Sequence, residues 1–231
     1  MQRSAWAELS LAISGWGCMR SGRVLFRALA FELAAGQLLV LKGRNGAGKS
    51  TLLRSLAGVL PARAGRLEWA GEPVRPGDAA YLQQIAYLSH ESAMSDALTG
   101  LENLRFALDL QGRRWNPERV AQALNILGVH DAASRAFGRL SQGQRRRLGL
   151  ARVLLSDRPL WLLDEPDNAL DDDGAQCLAA MLDAHRAAGG MAIVATHRGL
   201  VLPEGRMGSA GGARTLDLSN LPVPAPQGAA C

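Results

Sequence analysis

The sequence predicts an α/β protein with a parallel-sheet core, β-structure ahead of that core and a helical segment inserted into it. Two observations carry this prediction. Short apolar strands alternate with amphipathic helices in the first and last thirds of the chain, and the middle third shows helical periodicity alone. Such alternation is typical of parallel sheets with crossover helices. With 231 residues, the chain has room for one large domain or one domain with an inserted subdomain.

The first third of the chain is predicted to be β-structure that leads into a helix. Two short, half-apolar strands are expected at residues 24–26 and 29–33. The apolar run at residues 38–41 has strand length and glycine on both sides. Residues 51–57 then have helical character, and the helix is expected to stop at Gly58.

The middle of the chain is predicted to contain two helices. Thr99 and Glu102 have the spacing of a capping box, in which each residue bonds the backbone of the other. Asn116 followed by Pro117 is an N-cap before a first-turn proline, and Gly128 ends the second helix. This helical segment predicts a subdomain inserted at about residues 90–140.

The final third returns to alternating strands and helices. A helix opens at Ser141, buried strands are expected at residues 160–163 and 191–195, and a last strand at 215–218. The segment 220–231 is rich in proline and alanine, which favours a flexible tail. We therefore predict one domain over residues 1–219, followed by this tail.

Composition excludes several classes of protein. The chain is 48% hydrophobic and 20% charged, which is enough apolar material for a core and argues against disorder. No apolar run reaches the roughly 18 residues of a membrane span, and no signal peptide is recognisable at the start. If the protein works at a membrane, we expect it to dock there.

The net charge of +5 comes from arginine, because Lys42 and Lys49 are the only lysines. An arginine surplus can indicate nucleic-acid partners, but a coding bias toward Arg, Ala and Gly is the favoured interpretation. Cys18, Cys177 and Cys231 are widely spaced and form no C-x-x-C pair, so neither a disulfide framework nor a zinc site is expected.

A complete G-x-x-x-x-G-K-[ST] motif lies between a predicted strand and a predicted helix. An ordinary glycine turn would not need the whole motif in this context, so we predict a phosphate-binding loop. Lys49 would contact β- and γ-phosphates, and the Ser50 hydroxyl would bind Mg²⁺. The predicted nucleotide-binding residues are Gly43, Arg44, Asn45, Gly46, Ala47, Gly48, Lys49, Ser50 and Thr51.

A second pair of candidate residues, Asp164 and Glu165, ends the strand at residues 160–163. Two solvated acids at a strand end are common, but here a phosphate-binding motif is predicted in the same sheet. Ligands bind at the carboxyl edge of such sheets. We therefore predict Asp164 as a second Mg²⁺ ligand and Glu165 as the general base that activates water.

The segment Leu140-Ser141-Gln142-Gly143-Gln144 resembles the LSGGQ signature of ATP-binding cassette (ABC) ATPases, with Gln142 in place of a glycine. Together with the two motifs above, it gives the chain a resemblance to that family over roughly residues 9–218. Ser141 and Gln144 also have the spacing of a capping box, and the helix that begins there is a candidate anion site.

The resemblance implies the family's fold and a set of site residues. It implies a P-loop NTPase core with N-terminal antiparallel strands and an inserted helical subdomain. It further implies a head-to-tail pair of cassettes in which Ser141, Gly143 and Gln144 close the ATP site of the other subunit. Residues 169–171 resemble the family's D-loop. His197, otherwise interpretable as a core histidine, is assigned to the γ-phosphate.

Besides Gln142, the chain departs from the family pattern at three places, one of which is Asp167-Asn168, where an aromatic residue and a small hydroxyl residue usually follow Asp-Glu-Pro. His90 stands where a glutamine contacts Mg²⁺ or water, so His90 acts through water or Glu91 substitutes for it. Arg20 stands where an aromatic stacks on adenine, and Trp16 is the nearest aromatic.

The basic run at residues 145–147 is interpreted as a solvated stretch whose side-chain stems cover apolar surface.

Within the family, the short chain and the segments 87–90, 98–104 and 159–166 resemble ATP-binding subunits of cytochrome c maturation systems. That resemblance implies ATP and Mg²⁺ as cofactors and a small integral-membrane permease as partner. It also implies a homodimer of cassettes, peripheral location on the cytoplasmic face of the bacterial inner membrane, and no nucleic-acid partner. ATP hydrolysis would drive haem export or the release of a haem-loaded chaperone, although no C-x-x-C-H haem motif occurs.

Three other functions are compatible with parts of this pattern. The chain could serve another small ABC exporter or importer. It could be a soluble cassette protein acting on ribosomes or DNA, although those usually carry two cassettes or long coiled-coil insertions. It could be a GTPase or small-molecule kinase, but it has no Asn-Lys-x-Asp motif for guanine and the signature segment would be unexplained.

Overall fold

The computed structural model describes residues 6–91, 93–197 and 213–220, which form two β-sheets and six α-helices. The strands are β1 (Ser10–Arg20), β2 (Arg23–Ala34), β3 (Leu38–Lys42), β4 (Ala64–Trp69), β5 (Glu72–Val74), β6 (Ile85–Leu88), β7 (Leu160–Asp164), β8 (Met191–Ala195) and β9 (Ala213–Asp217). The helices are α1 (Lys49–Leu56), α2 (Ala79–Leu82), α3 (Gly100–Leu110), α4 (Pro117–Ile126), α5 (Gln142–Leu155) and α6 (Asp172–Ala187). Short 3₁₀ turns lie at Phe137–Arg139 and Leu218–Asn220.

The larger sheet has five parallel strands in the order β6-β7-β8-β3-β9. Because the strands are parallel, the segments that leave their carboxyl ends meet at one edge, where ligands bind in open α/β sheets. The segments after β3, β8 and β7 therefore lie side by side, and they carry the predicted site residues. The parallel-sheet core is confirmed.

Both faces of the parallel sheet are buried, as expected when helices cover a parallel sheet. In β3, Leu38 and Val40 face a core built with α3 to α6, and Leu39 and Leu41 face a second core shared with α1 and the other sheet. The same alternation holds in β7 and β8. The strands thus read as continuous apolar runs, which made them recognisable in the sequence.

The smaller sheet is antiparallel, in the order β2-β1-β4-β5, and differs from the prediction in two ways. The two short strands predicted at residues 24–26 and 29–33 are one strand, interrupted locally by Ala28, whose φ is +55°. The long strand β1 was not predicted, because its glycines and register shifts break the alternating pattern. A two-residue turn at Ser21 and Gly22, both with positive φ, joins β1 to β2.

Helices α3, α4 and α5 begin where the sequence predicts, whereas α1 begins two residues earlier than predicted and the short α2 was not predicted. Thr99 with Glu102 and Ser141 with Gln144 form complete capping boxes, and the Asn116 side chain caps α4. Helices α3 and α5 then pack closely at Gly100, where a Cβ atom would lie 2.8 Å from Leu148 Cδ1.

The last described strand, β9, runs alongside β3 and begins two residues earlier than predicted. Leu218, expected to be in that strand, instead starts a 3₁₀ turn that ends at Asn220. The rest of the predicted tail, residues 221–231, lies outside the described residues.

His185 is a buried titratable group that is not among the predicted site residues. Its ring stacks on Trp161 at 3.7 Å between centroids, and Nε2 donates to the Met191 carbonyl at 3.1 Å. Burial lowers the pKa of His185 from 6.5 to about 4, although hydrogen bonding opposes the shift. The folded protein therefore holds this side chain neutral at pH values where the unfolded chain protonates it.

We expect His185 to make the free energy of unfolding fall as the pH drops from about 6.5 toward 4. In that window the unfolded state binds a proton that the native state does not, with a limiting slope of about 1.4 kcal/mol per pH unit. Urea unfolding at several pH values should show this slope in the wild type and a shallower one in His185→Phe and His185→Gln. Equal slopes in all three proteins would contradict the assignment.

Candidate functional site

The phosphate loop, residues 43–50, connects β3 to α1 and has the backbone geometry that its glycines permit. Gly43, Gly46 and Gly48 have φ values of 142°, 84° and 102°, a region that other residues rarely adopt. A Cβ atom on Gly48 would lie 2.9 Å from Phe26 Cε1, so glycine is also required there by packing. The strand and helix predicted on either side of this loop are both present.

Helix α1 starts in this loop without a side-chain cap. Its N-cap is Gly48, whereas the side chains of Thr99, Asn116, Ser141 and Asp171 cap α3 to α6. The amides of the first turn of α1, including those of Ser50 and Thr51, therefore lack the usual partner oxygen. An uncapped helix start with a Gly-rich approach is suited to binding an anion.

Lys49 folds back into the loop rather than pointing to solvent. Its Nζ donates to the carbonyl oxygens of Gly43 at 2.7 Å and Arg44 at 3.4 Å, and the residue is only 6% exposed. The Arg44 amide donates to Ser219 Oγ at 2.9 Å, and Ala47 N donates to the Arg44 carbonyl at 3.0 Å. The ammonium is thus enclosed in the loop that would surround phosphate oxygens, whereas Asn45 of the same loop is exposed.

Ser50 and Asp164, predicted to share a magnesium ion, are in contact. Ser50 Oγ donates to Asp164 Oδ1 at 2.9 Å, although the two residues are 114 positions apart. Asp164 is 1% exposed, and its Oδ2 has no hydrogen-bond partner among the described residues. Burial, with a smaller contribution from the charge of Glu165, raises the pKa of Asp164 above its usual value.

This pair fits Mg²⁺. The ion prefers oxygen ligands and is usually bound by one or two protein oxygens, with phosphates and waters filling its remaining positions. A buried carboxylate oxygen without a partner also favours a cation beside it. The donor atoms that would hold the ion are Ser50 Oγ and the Asp164 carboxylate.

Glu165 lies between two histidines at the end of β7. His90 Nδ1 is 3.4 Å from Glu165 Oε2, and His197 Nδ1 is 3.4 Å from Glu165 Oε1. The Glu165 amide donates to the Ala195 carbonyl, and its φ of 49° is left-handed. Non-glycine residues held in this region cluster at functional sites. The structure therefore brings together Glu165, His90 and His197, which the sequence placed in one site.

A buried hydrogen bond fixes the ends of β7 and β8 relative to each other. Thr196 Oγ1 donates to Asp167 Oδ2 at 2.7 Å, and both residues are buried. Thr196 precedes His197, and Asp167 lies two residues after Glu165. Sequence reasoning missed this bond, because Thr196 and Asp167 lie 29 positions apart and no local pattern links them.

The interpretation of residues 145–147 as a solvated stretch is wrong for Arg146. Arg146 is 5% exposed, and its guanidinium donates to the carbonyls of Ser89, Asp164 and Glu165. Arg146 shares a helical face with the buried Leu150 and Val153. That periodicity was the signal for burial, and adjacency to two other arginines obscured it.

The flanking arginines also have specific partners. Arg145 donates to the carbonyls of Leu140 and Gly138, and its guanidinium lies 5.2 Å from the centre of the Phe137 ring. Arg147 pairs with Asp171, in the segment that resembles the D-loop.

The signature segment is ordered by its own capping box and by contact with the D-loop. The Gln144 amide donates to Ser141 Oγ at 3.2 Å, and the Ser141 amide donates to Gln144 Oε1 at 3.1 Å. A Cβ atom on Gly143 would lie 2.8 Å from the Ala169 carbonyl oxygen, so glycine permits this close approach. Nucleotide binding by Ser141, Gly143 and Gln144 stays a prediction, because it involves a second subunit.

The candidates for adenine contact are not equivalent in the structure. Trp16 is buried, and its Nε1 donates to Ser55 Oγ at 3.0 Å, so its ring is not presented to a ligand. Arg20 is exposed at the end of β1 and stays a prediction. Glu91 is exposed as well, whereas the neighbouring His90 makes the contact with Glu165.

Relatives of this chain share most of its length. The sequence profile of the ABC transporter family matches residues 26–168. The cytochrome c biogenesis ATP-binding export protein CcmA of Cupriavidus necator is 47% identical over 208 residues, which is 90% of this chain and 87% of the relative. The protein of the same name from Paracoccus denitrificans is 41% identical over 215 residues, 93% of this chain and 95% of the relative.

Solved structures have the same fold. An ABC transporter ATP-binding protein from Pyrococcus furiosus superposes with a TM-score of 0.75 at 23% identity, covering 90% of this chain and 97% of its own. The ATP-binding subunit of another ABC transporter gives a TM-score of 0.72 at 24% identity, covering 81% of this chain and 79% of its own. Family profile, relatives and fold agree: the chain belongs to the ABC transporter family, as an ATP-binding subunit.

Proposed function

We propose that this chain hydrolyses ATP as one of a pair of cassettes and energises a separate membrane subunit in c-type cytochrome biogenesis. The observation that carries the enzymatic part is the convergence of Ser50, Asp164 and Glu165 at one sheet edge, beside the loop that encloses Lys49. The similarity to CcmA proteins over about nine tenths of the chain supports the biological part.

In the proposed reaction the phosphate loop binds the nucleotide. Lys49 would exchange its carbonyl partners for β- and γ-phosphate oxygens, and the amides at the start of α1 would donate to the same groups. Ser50 and Asp164 would hold Mg²⁺, which supplies positive charge to the phosphates when it is bound. The preformed loop lowers the reorganisation needed at the transition state.

Glu165 is proposed as the general base. Its carboxylate is 23% exposed, so water can reach it, and the two histidines at 3.4 Å restrict its orientation. A base held in one position accepts the proton of an attacking water more effectively than a mobile one. His197 is proposed to contact the γ-phosphate, and His90 to act from the position of the family glutamine.

The paired arrangement explains why the signature segment is built as a helix start. Ser141 and Gln144 cap α5, which leaves the amides nearest Gly143 directed along the helix dipole. In a head-to-tail dimer this end would meet the nucleotide bound by the other chain. The same proposal places the chain at the cytoplasmic face of the inner membrane, where it would drive haem export or the release of a haem-loaded chaperone.

An exposed apolar pair on α3 supports a protein partner. Phe106 is 60% exposed and Leu110 72%, and the two lie one turn apart on the helix. Large exposed apolar side chains grouped on one face often mark an interface. Within the described ranges, none of the helices combines the length and apolar character that crossing a bilayer requires. We propose that this face contacts the membrane subunit.

Replacing Glu165 by glutamine tests the enzymatic proposal. The amide keeps the shape of the side chain but cannot accept a proton, so turnover should fall by roughly 10²- to 10⁴-fold while ATP still binds. Steady-state ATP hydrolysis and equilibrium nucleotide binding measure the two effects. Glu118→Gln, on the exposed surface of α4, is the matched control and should behave as the wild type. Near-normal turnover in Glu165→Gln would remove Glu165 from the mechanism.

Replacing Asp164 by asparagine tests the proposed ion site. We expect the Mg²⁺ concentration for half-maximal nucleotide binding to rise by roughly tenfold or more, because one charged ligand becomes neutral. Titration of a fluorescent ATP analogue with Mg²⁺, and again with EDTA present, measures this directly. In EDTA, the affinity of the variant for the ATP analogue should not fall below that of the wild type. A variant with the wild-type Mg²⁺ dependence would contradict the assignment.

The proposed interface is tested by Phe106→Asp. A charge placed on an apolar contact should abolish co-purification with the membrane subunit from detergent-solubilised membranes, and the basal ATPase of the isolated chain should be unchanged. Val59→Asp, at a position that is also 60% exposed, is the matched control.

Recovery of the wild type with nucleic acid in a salt-sensitive manner, instead of with a membrane protein, would favour the soluble-cassette alternative.

A further inference from the structure

Arg146 connects three segments of the site without lying in the phosphate loop. It is placed one turn into α5, the helix that starts at the signature segment. Its Nη1 donates to the Ser89 carbonyl at 2.8 Å, and its Nη2 donates to the carbonyls of Asp164, at 2.7 Å, and of Glu165. One side chain therefore contacts the backbone on both sides of the Glu165–His90 pair.

These hydrogen bonds fix the backbone from which the side chains of His90 and Glu165 extend. Ser89 is the residue before His90, so fixing its carbonyl fixes the backbone from which the imidazole extends. The Glu165 carbonyl belongs to the residue with a left-handed φ of 49°. A glutamate in that region needs support from its surroundings, and the hydrogen bond from Arg146 supplies part of that support.

The charge of Arg146 suits its surroundings. Burial lowers the pKa of the Arg146 guanidinium, and the carboxylates of Asp164, Asp167 and Glu165 partly offset this by favouring the protonated form. A cation buried among three acids compensates their repulsion.

The contact also depends on the shape of arginine. A planar guanidinium offers five donors in a fixed fork, whereas an ammonium group is a compact point charge on a flexible stem. A lysine at this position keeps the charge but cannot span carbonyl groups on two separate segments with the same geometry.

We propose that Arg146 is a positioning residue for ATP hydrolysis, holding Glu165 and His90 in fixed relation to helix α5. This inference rests on the proposed function, because it concerns the same reaction. Arg146 acts through Glu165 and does not touch the nucleotide. Helix α5 begins at the signature segment. Movement of that helix would therefore shift Glu165 through the hydrogen bonds of Arg146.

The first test is steady-state ATP hydrolysis by Arg146→Met, Arg146→Gln and Arg146→Lys. We expect kcat to fall by roughly tenfold or more with KM for ATP unchanged, since misplacing a reacting group by about 1 Å can reduce the rate 10²-fold. Arg152→Met is the matched control. Arg152 lies on the same helix, and its guanidinium donates to the Tyr87 carbonyl at 3.1 Å without reaching Glu165.

Wild-type kcat, structural loss and full rescue by lysine are the three outcomes of this test that would overturn the proposal. The first is a wild-type kcat in the Arg146 variants. The second is a loss of folding, or a loss of kcat and nucleotide binding in parallel, which would assign Arg146 a purely structural role. The third, a full rescue by Arg146→Lys, would show that charge alone suffices and would exclude the proposed geometry.

A double-mutant cycle separates this inference from the proposed function. If Arg146 acts through Glu165, Arg146→Met should change single-turnover hydrolysis less than about twofold in the Glu165→Gln background. Additive losses would overturn the role of Arg146. Normal hydrolysis by Glu165→Gln alone would instead overturn the proposed base, so the two failures are distinguishable.

The final readout needs no nucleotide. The chain has four histidines, and His90 and His197 both contact Glu165. We expect Arg146→Met to shift the imidazole NMR signals of these two histidines and to leave those of His130 and His185 in place. Arg152→Met should leave the imidazole signals of His90 and His197 unchanged. Unchanged His90 and His197 signals in a folded Arg146→Met variant would overturn the proposal.

Discussion

The position of β8 between β3 and β7 is the constraint on which the candidate site depends. Parallel pairing on both edges of β8 brings the phosphate loop, the Thr196-His197 segment and the Asp164-Glu165 pair to one edge of the sheet. The Ser50–Asp164 hydrogen bond then spans from β7 to α1 across this edge. Residues far apart in the sequence become neighbours because of strand order alone.

Electrostatic balance is the second organising feature of the site. Lys49 and Arg146 are buried cations, and Asp164 and Asp167 are buried acids, so each group relies on nearby partners rather than on water. Buried charges are tolerated when they are paired and hydrogen-bonded. The carbonyl contacts of both cations and the Thr196–Asp167 bond meet that requirement. Among the described residues, Asp164 Oδ2 and Asp167 Oδ1 have no hydrogen-bond partner, and the first of these oxygens belongs to the carboxylate proposed to hold the metal ion.

Local patterns allowed much of the fold to be predicted, and distant contacts escaped prediction. The phosphate loop, the caps at Thr99 and Ser141 and the buried strands each have a signal within about ten residues. Strand β1 lacks such a signal, because its glycines break the alternation. Ser219 bonds the Arg44 amide across 175 positions, and no local pattern marks it. Burial of Arg146 was detectable from helical periodicity with Leu150 and Val153, but the neighbouring arginines suggested solvent.

The uncapped start of α1 has a consequence for how the protein exchanges its ligand. Helices α3 to α6 are each capped by a side chain of the chain itself, whereas the hydrogen-bond acceptors for α1 would come from the ligand. A phosphate group is then a detachable cap, and its departure returns the helix to a state with unsatisfied amides. Mass action would make the melting temperature follow the ligand concentration. Bound nucleotide would therefore stabilise helix α1 and, with it, the folded cassette.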